Sequence, residues 1–359
     1  VKTALGNADA SDLLALTAAL VSIPSVSGNE SDIADAVGER LRVRAPGLAL
    51  DRVGHNVVAR TERGAPRRVV LGGHLDTVPP AGNDRAVVEG DRVSGLGAAD
   101  MKGGLAVMLR LAEEVVGDAR HDVTLVFYEA EEIADRYNGL RHLFAERPEL
   151  VAGDIAVLLE PTDGVVEAGC QGTIRMRAVF RGRRAHTARA WMGENAIHKA
   201  SAALARVAAF DAPTVAVDGL PYREALQVVQ VEGGVAANVV PDECVVVVNR
   251  RYAPSRSLEE AVDEVRAVLA GADELEVTDA SQAADPNLSH PLVAELVEGL
   301  GGDARPKLGW TDVARFAAHG VPAVNFGPGE AELAHTPGEY VTRDSLERCY
   351  GRLAAFLAG

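Results

Sequence analysis

Acid crowds the end of an apolar run in "VTLVFYEAEEI", where the β-prone residues Val123, Leu125 and Phe127 lead straight into Glu129, Glu131 and Glu132. Carboxylates this close repel one another and resist leaving water, so a core strand that delivers them to one spot needs a source of positive charge. Four other segments offer chemically useful groups at or just after the end of a strand-like run. They are His74 and Asp76 in "GGHLDTVPP", Asp100 in "GLGAADMKGG", Glu160 in "LLEPT" and His335 in "LAHTPGEYV". Taken singly, each has an ordinary reading: Asp100 could cap the helix that follows it, and Glu160, before Pro161, could be an exposed turn residue. Together, two imidazoles and three carboxylates make the nitrogen and oxygen ligand set of zinc or a similar divalent ion. One shared carboxylate with two further ligands per ion would hold a pair of ions roughly 3.5–4 Å apart and cancel the repulsion. Neighbouring positions on an extended chain face different ways, so one of Glu131 and Glu132 can bind metal while the other faces a water. Asp76, two residues beyond His74, is expected to orient that imidazole from behind.

For these groups to meet, the strands that carry them must lie side by side and run the same way. The first half alternates accordingly: "RRVVLGGHLDTV", "DVTLVFYEAEE" and "DIAVLLEPT" read as strands, and 103–116 reads as a helix. That order predicts a mainly parallel α/β sheet sandwiched by helices, with its site at the carboxyl ends of the strands. The middle differs. "TIRMRAVFRGRRAH", "LQVVQVEGGVAANVVPDECVVVVNRRYAP" and "ELEVTDA" alternate like half-exposed antiparallel strands around helical stretches 194–208 and 257–270. The expectation is a discontinuous catalytic domain, 1–174 and 285–359, with an α+β domain inserted at 175–284. "ADPNLSHP" is the expected return linker.

Among 359 residues, 47% are hydrophobic and the formal charge is -16, which describes a globular chain and argues against general binding to nucleic acid or an anionic membrane. An anionic small molecule would need a local basic pocket or a metal. No apolar stretch approaches the roughly 20 residues of a membrane span. The start of the chain reads as a helix capped by Ser11 or Asp12 rather than a leader. Cys170, Cys244 and Cys349 show no CxxC spacing, which suggests reduced thiols in a cytoplasmic protein.

The five ordered motifs resemble the M20 family of di-zinc metallohydrolases along essentially the whole chain. The resemblance implies that His74 binds metal and Asp76 orients it, that Asp100 bridges two Zn2+ ions, and that Glu131 is the general base. It implies further that Glu132, Glu160 and His335 complete the two shells, with one ion replaceable by Co2+ or Mn2+. Ala130 departs from the family's usual D-E-E. Within the family, "GHLDTVPPAGN", "EAGCQGT", "RAHTARAWMGENAIHK" and "PAVNFGPGE" resemble the actinobacterial succinyl-diaminopimelate desuccinylases. That implies hydrolysis of N-succinyl-L,L-2,6-diaminopimelate; an acetylornithine deacetylase or a carboxypeptidase-like enzyme is the alternative. It also implies a homodimer through the inserted lid domain, with His186 helping to hold the oxyanion and Arg251, Asn238 and Thr311 contacting substrate. A binding protein that merely keeps the fold is disfavoured by the intact set of ligands and base. A nucleotide site at "GLGAAD" is disfavoured by its incomplete glycine pattern.

Overall fold

The computed structural model describes residues 2–359, with side chains from Leu5 onward. The strands that carry the site belong to a sheet formed by Ala49–Val53 (β1), Asn56–Arg60 (β2), Arg68–His74 (β3), Asp122–Tyr128 (β4), Ile155–Leu158 (β5), Val166–Ala168 (β6), Ala304–Pro306 (β7) and Ala323–Asn325 (β8). Among the described residues its order is β1-β2-β4-β3-β5-β8-β6-β7. The centre, β4-β3-β5-β8, is parallel. The β1, β2 and β6 pairings on either side are antiparallel. Burial explains the difference. All seven residues of β4 and all four of β5 are buried, as expected of strands covered on both faces. Register then does the positioning. His74 pairs with Tyr128, and Gly72 pairs with Leu158, so three chains leave the sheet at one edge.

Helix Gly103–Glu114 follows Asp100 and buries nine of its residues. It comes unusually close to the sheet edge, because a Cβ on Gly104 would stand 2.4 Å from the Leu159 carbonyl oxygen. The first helix over which side chains are fully described, Leu13–Val21, is capped by Asp12, whose Oδ1 accepts from the Ala15 amide at 3.3 Å. None of the described helices is long and apolar enough to cross a membrane.

The chain forms two compact units. One comprises the residues up to Ala168 with Asn287–Arg305 and Arg315–Gly359; the other comprises Gly169–Pro286 and Pro306–Ala314. Thr311 thus falls in the second unit. There, Ala225–Gly233, Glu243–Tyr252, Gly172–Arg181 and Glu274–Ser281 form an antiparallel sheet in that order. Glu243–Tyr252 alternates buried and half-buried residues, and Val246, Val248, Met176 and Phe180 share a core with helices Ala196–Ala208 and Leu258–Val268. Ser257 and Glu260 form a reciprocal cap on the latter helix. A hairpin, Thr214–Val217 with Leu220–Arg223, was not anticipated from the pattern. Its signal was the Asp218-Gly219 pair, both at positive φ in the structure, which suits a two-residue turn.

Gly104→Ala should force helix and sheet apart, costing about 1–3 kcal/mol. The check is urea unfolding: a lower midpoint at unchanged slope is expected, and a wild-type midpoint would mean the helix can shift without penalty.

Candidate metal centre

His74 is the last residue of β3, and its neighbour Leu75 donates its amide to the Tyr128 carbonyl at 2.7 Å. That bond keeps the two chains together for one residue beyond the sheet. The β4 chain then turns instead of running on extended. Ala130 sits at φ +57°, a left-handed conformation that costs an alanine more than the Asp or Asn often found there. Buried Asp76 secures the turn. Its Oδ1 accepts from the Glu131 amide and its Oδ2 from the Glu132 amide, each at 3.0 Å, and the Ser27 hydroxyl donates to Oδ2 at 2.6 Å. The expected imidazole contact is shared between the backbone and the side chain of Asp76. His74 Nδ1 lies 3.0 Å from the Asp76 main-chain carbonyl and 3.5 Å from its carboxylate, so backbone orients the ring more closely than side chain does. Beneath the turn, buried Glu30 accepts from the Ala130 amide at 3.2 Å and the Gly28 amide at 2.9 Å.

Asp100 stands in an irregular segment before helix Gly103–Glu114, and the Asp100–Met101 peptide is cis. Lys102 is buried and donates from Nζ to the Ile23 carbonyl at 2.8 Å; burial pushes its amine down to about 7. Glu160 is buried two residues after β5. His335 comes from a loop at φ +61° and keeps about half of its side chain (51%) exposed.

These groups converge. His74 Nε2 lies 3.0 Å from Asp100 Oδ1, and His335 Nε2 lies 3.4 Å from Asp100 Oδ2 and 2.9 Å from Glu132 Oε1. Ligand atoms of His74, Asp100 and Glu160 fall within 4.8 Å of one another, as do those of Asp100, Glu132 and His335, and those of His74, Glu131 and Glu132. The first two sets share Asp100, with one carboxylate oxygen turned to each histidine. Electrostatics agree that the place calls for positive charge. Burial alone would lower His74, yet hydrogen bonds to Asp100 and Asp76 drive it well above the usual imidazole value. Hydrogen bonds to Asp100 and Glu132 raise His335 to about 10. Burial pushes the Asp100 carboxyl up, but the two histidines outweigh it and hold it well below the usual range. Nitrogen and oxygen donors in sets of three, around a shared carboxylate, fit divalent cations such as zinc.

The remaining residues singled out in the sequence lie in the second unit. His186 is exposed, and its Nδ1 accepts from the Ala188 amide at 3.0 Å. The Asn238 carbonyl accepts from the Thr187 amide at 3.0 Å. Arg251 is half-buried on Glu243–Tyr252, and burial lowers its guanidinium. The Thr311 carbonyl accepts from the Ala314 amide at 3.1 Å. Ser27, Glu30 and Glu339 support the centre but were not foreseen. Their bonds go mainly to backbone amides or to another supporting side chain, which leaves no spacing to read.

The family model described as peptidase family M20/M25/M40 matches residues 70–359. The chain is 49% identical over 349 residues to a putative succinyl-diaminopimelate desuccinylase of Mycobacterium tuberculosis, covering 97% of this chain and 98% of that one. It is 46% identical over 336 residues to the succinyl-diaminopimelate desuccinylase of Corynebacterium glutamicum, covering 91% of each. Among solved structures, a tripeptidase from Staphylococcus aureus superposes with a TM-score of 0.81 over 98% of both chains at 22% identity, a likeness of fold.

The raised His335 value has a pH consequence for the protein kept in chelator. Its ion pairs stabilise the fold fully below the unfolded value of 6.5 and are lost as pH rises through about 10. The thermal midpoint of wild type minus that of His335→Ala should therefore shrink from pH 6.5 to pH 10. A constant difference would contradict the pairing.

Proposed function

The chain belongs to peptidase family M20/M25/M40, and we propose that within it the protein is a zinc-dependent desuccinylase. It hydrolyses N-succinyl-L,L-2,6-diaminopimelate to succinate and L,L-diaminopimelate, a step towards lysine and cell-wall precursors. The observation that carries this substrate is full-length likeness to the two desuccinylases. The geometry supports the chemistry. His74, Asp100 and Glu160 would hold one Zn2+ and Asp100, Glu132 and His335 the other, with one of the two ions replaceable by Co2+ or Mn2+. When bound, the cations lower the pKa of a water and polarise the amide carbonyl.

Glu131 takes the proton of the attacking water and returns it to the leaving nitrogen. Asp76 holds the Glu131 and Glu132 amides on separate oxygens, so base and ligand are aimed independently. With Nδ1 accepting from the Ala188 amide, Nε2 of His186 is the ring nitrogen left to donate to the developing oxyanion. Arg251 pairs with a substrate carboxylate, and Asn238 and Thr311 are further substrate contacts. The inserted domain, 175–284 in sequence, acts as lid and dimerisation element. Its outer strand Ala225–Gly233 leaves Val229 and Val231 exposed on an open edge, which supports pairing with a second copy. Three buried free thiols support a cytoplasmic setting.

Release of free amine from a panel of succinyl, acetyl and peptide amides tests the assignment, and preference for an acetyl or peptide amide would overturn it. Glu131→Gln should retain both metals while turnover falls at least about 10²–10⁴-fold. A near-normal rate would remove Glu131 as base. His186→Ala should lower kcat by about 10²–10³-fold with folding intact. An unchanged rate would remove its role.

A further inference from the structure

Glu339 is 1% exposed, and nothing in the chemistry above uses it. Its Oε1 accepts from the amides of Ala99 at 2.9 Å and Asp100 at 3.0 Å, its Oε2 accepts from the Gly97 amide at 3.0 Å, and its main-chain carbonyl accepts from the Gly95 amide at 3.0 Å. One residue thus gathers four amides of the turn that presents Asp100. It lies four positions after His335, just before strand Tyr340–Thr342, which pairs with Arg92–Ser94. The turn carrying Asp100 and the loop carrying His335 are therefore tied together at a single buried carboxylate. A buried carboxylate is costly unless its oxygens are satisfied, and here backbone amides satisfy both.

The two proposed cation positions are built from different elements. His74 ends β3 and Glu160 follows β5; both are buried, and their strands are hydrogen-bonded neighbours. Glu132 and His335 come from loops, and His335 is half exposed. We propose that Glu339 is a positioning residue: by fixing the Asp100 turn against the His335 loop, it sets the affinity of the cation held by Asp100, Glu132 and His335 more than that of the cation held by His74, Asp100 and Glu160. The inference rests on the dinuclear reading given above.

The test is titration of the chelator-stripped full chain with Zn2+ in calorimetry against a competing chelator, repeated with Co2+ to follow its visible absorption. Wild type, Glu339→Gln and Glu339→Ala are compared. Two ions on wild type are expected, with the weaker one loosened about 10–100-fold in Glu339→Ala and the tighter one unchanged. Binding of the tighter ion reports that the variant is folded. Glu339→Gln keeps the volume and one carbonyl acceptor, so it should show a smaller loss at the same ion, and it carries the test if the alanine variant does not fold. Two ions on wild type with both affinities unchanged in the variants, or lowered equally, would overturn the role of Glu339 alone. Fewer than two ions on wild type would sink the dinuclear reading and this inference with it.

Discussion

Bringing negative charge to one edge of a parallel sheet sets a condition that everything else in the first unit answers. Glu131, Glu132, Glu160 and Asp100 could each stay solvated on a separate surface at little cost. Their strands and loops instead bring them within a few ångströms, where mutual repulsion opposes folding unless cations or protonated imidazoles stand among them. The raised histidines and the depressed Asp100 are two sides of that demand. Parallel pairing makes the convergence possible, because β3, β4 and β5 all release their chains at the same end.

Holding the ligands takes a second layer, and its repeated device is a buried carboxylate that accepts backbone amides. Asp76 takes those of Glu131 and Glu132, Glu30 those of Gly28 and Ala130, and Glu339 those of Gly97, Ala99 and Asp100. A carboxylate used in this way fixes peptide planes rather than side-chain tips, so it controls where the neighbouring side chain starts. It also adds negative potential around the cation positions without using up a ligand site.

What could be read from the sequence was whatever leaves a periodic or compositional trace. The apolar runs ending at His74 and Glu129, and the Pro after Glu160, marked strand ends, and the structure brings the residues beyond them together. The alternation in Glu243–Tyr252 likewise marked an antiparallel layer distinct from the first unit. What could not be read depends on backbone. An extended chain through Ala130 was the natural expectation, and only Glu30 gripping its own amide and Asp76 gripping those of Glu131 and Glu132 explain the left-handed turn. The Glu339 carboxylate accepts amides 239 to 242 positions earlier in the chain, a separation no local pattern encodes.

The stretch from Ile23 to Glu30 contributes no proposed ligand, since these begin at His74. It nevertheless supplies the hydroxyl on Asp76, the carbonyl on Lys102 and the carboxylate under Ala130, and Val26 bridges to Thr77 just beyond the end of β3. A fragment trimmed to begin at the first ligand would keep every coordinating side chain and still lose one wall of the socket. Mechanical boundaries here lie further toward the N-terminus than chemical ones, so an excised catalytic core has to carry that leading arm.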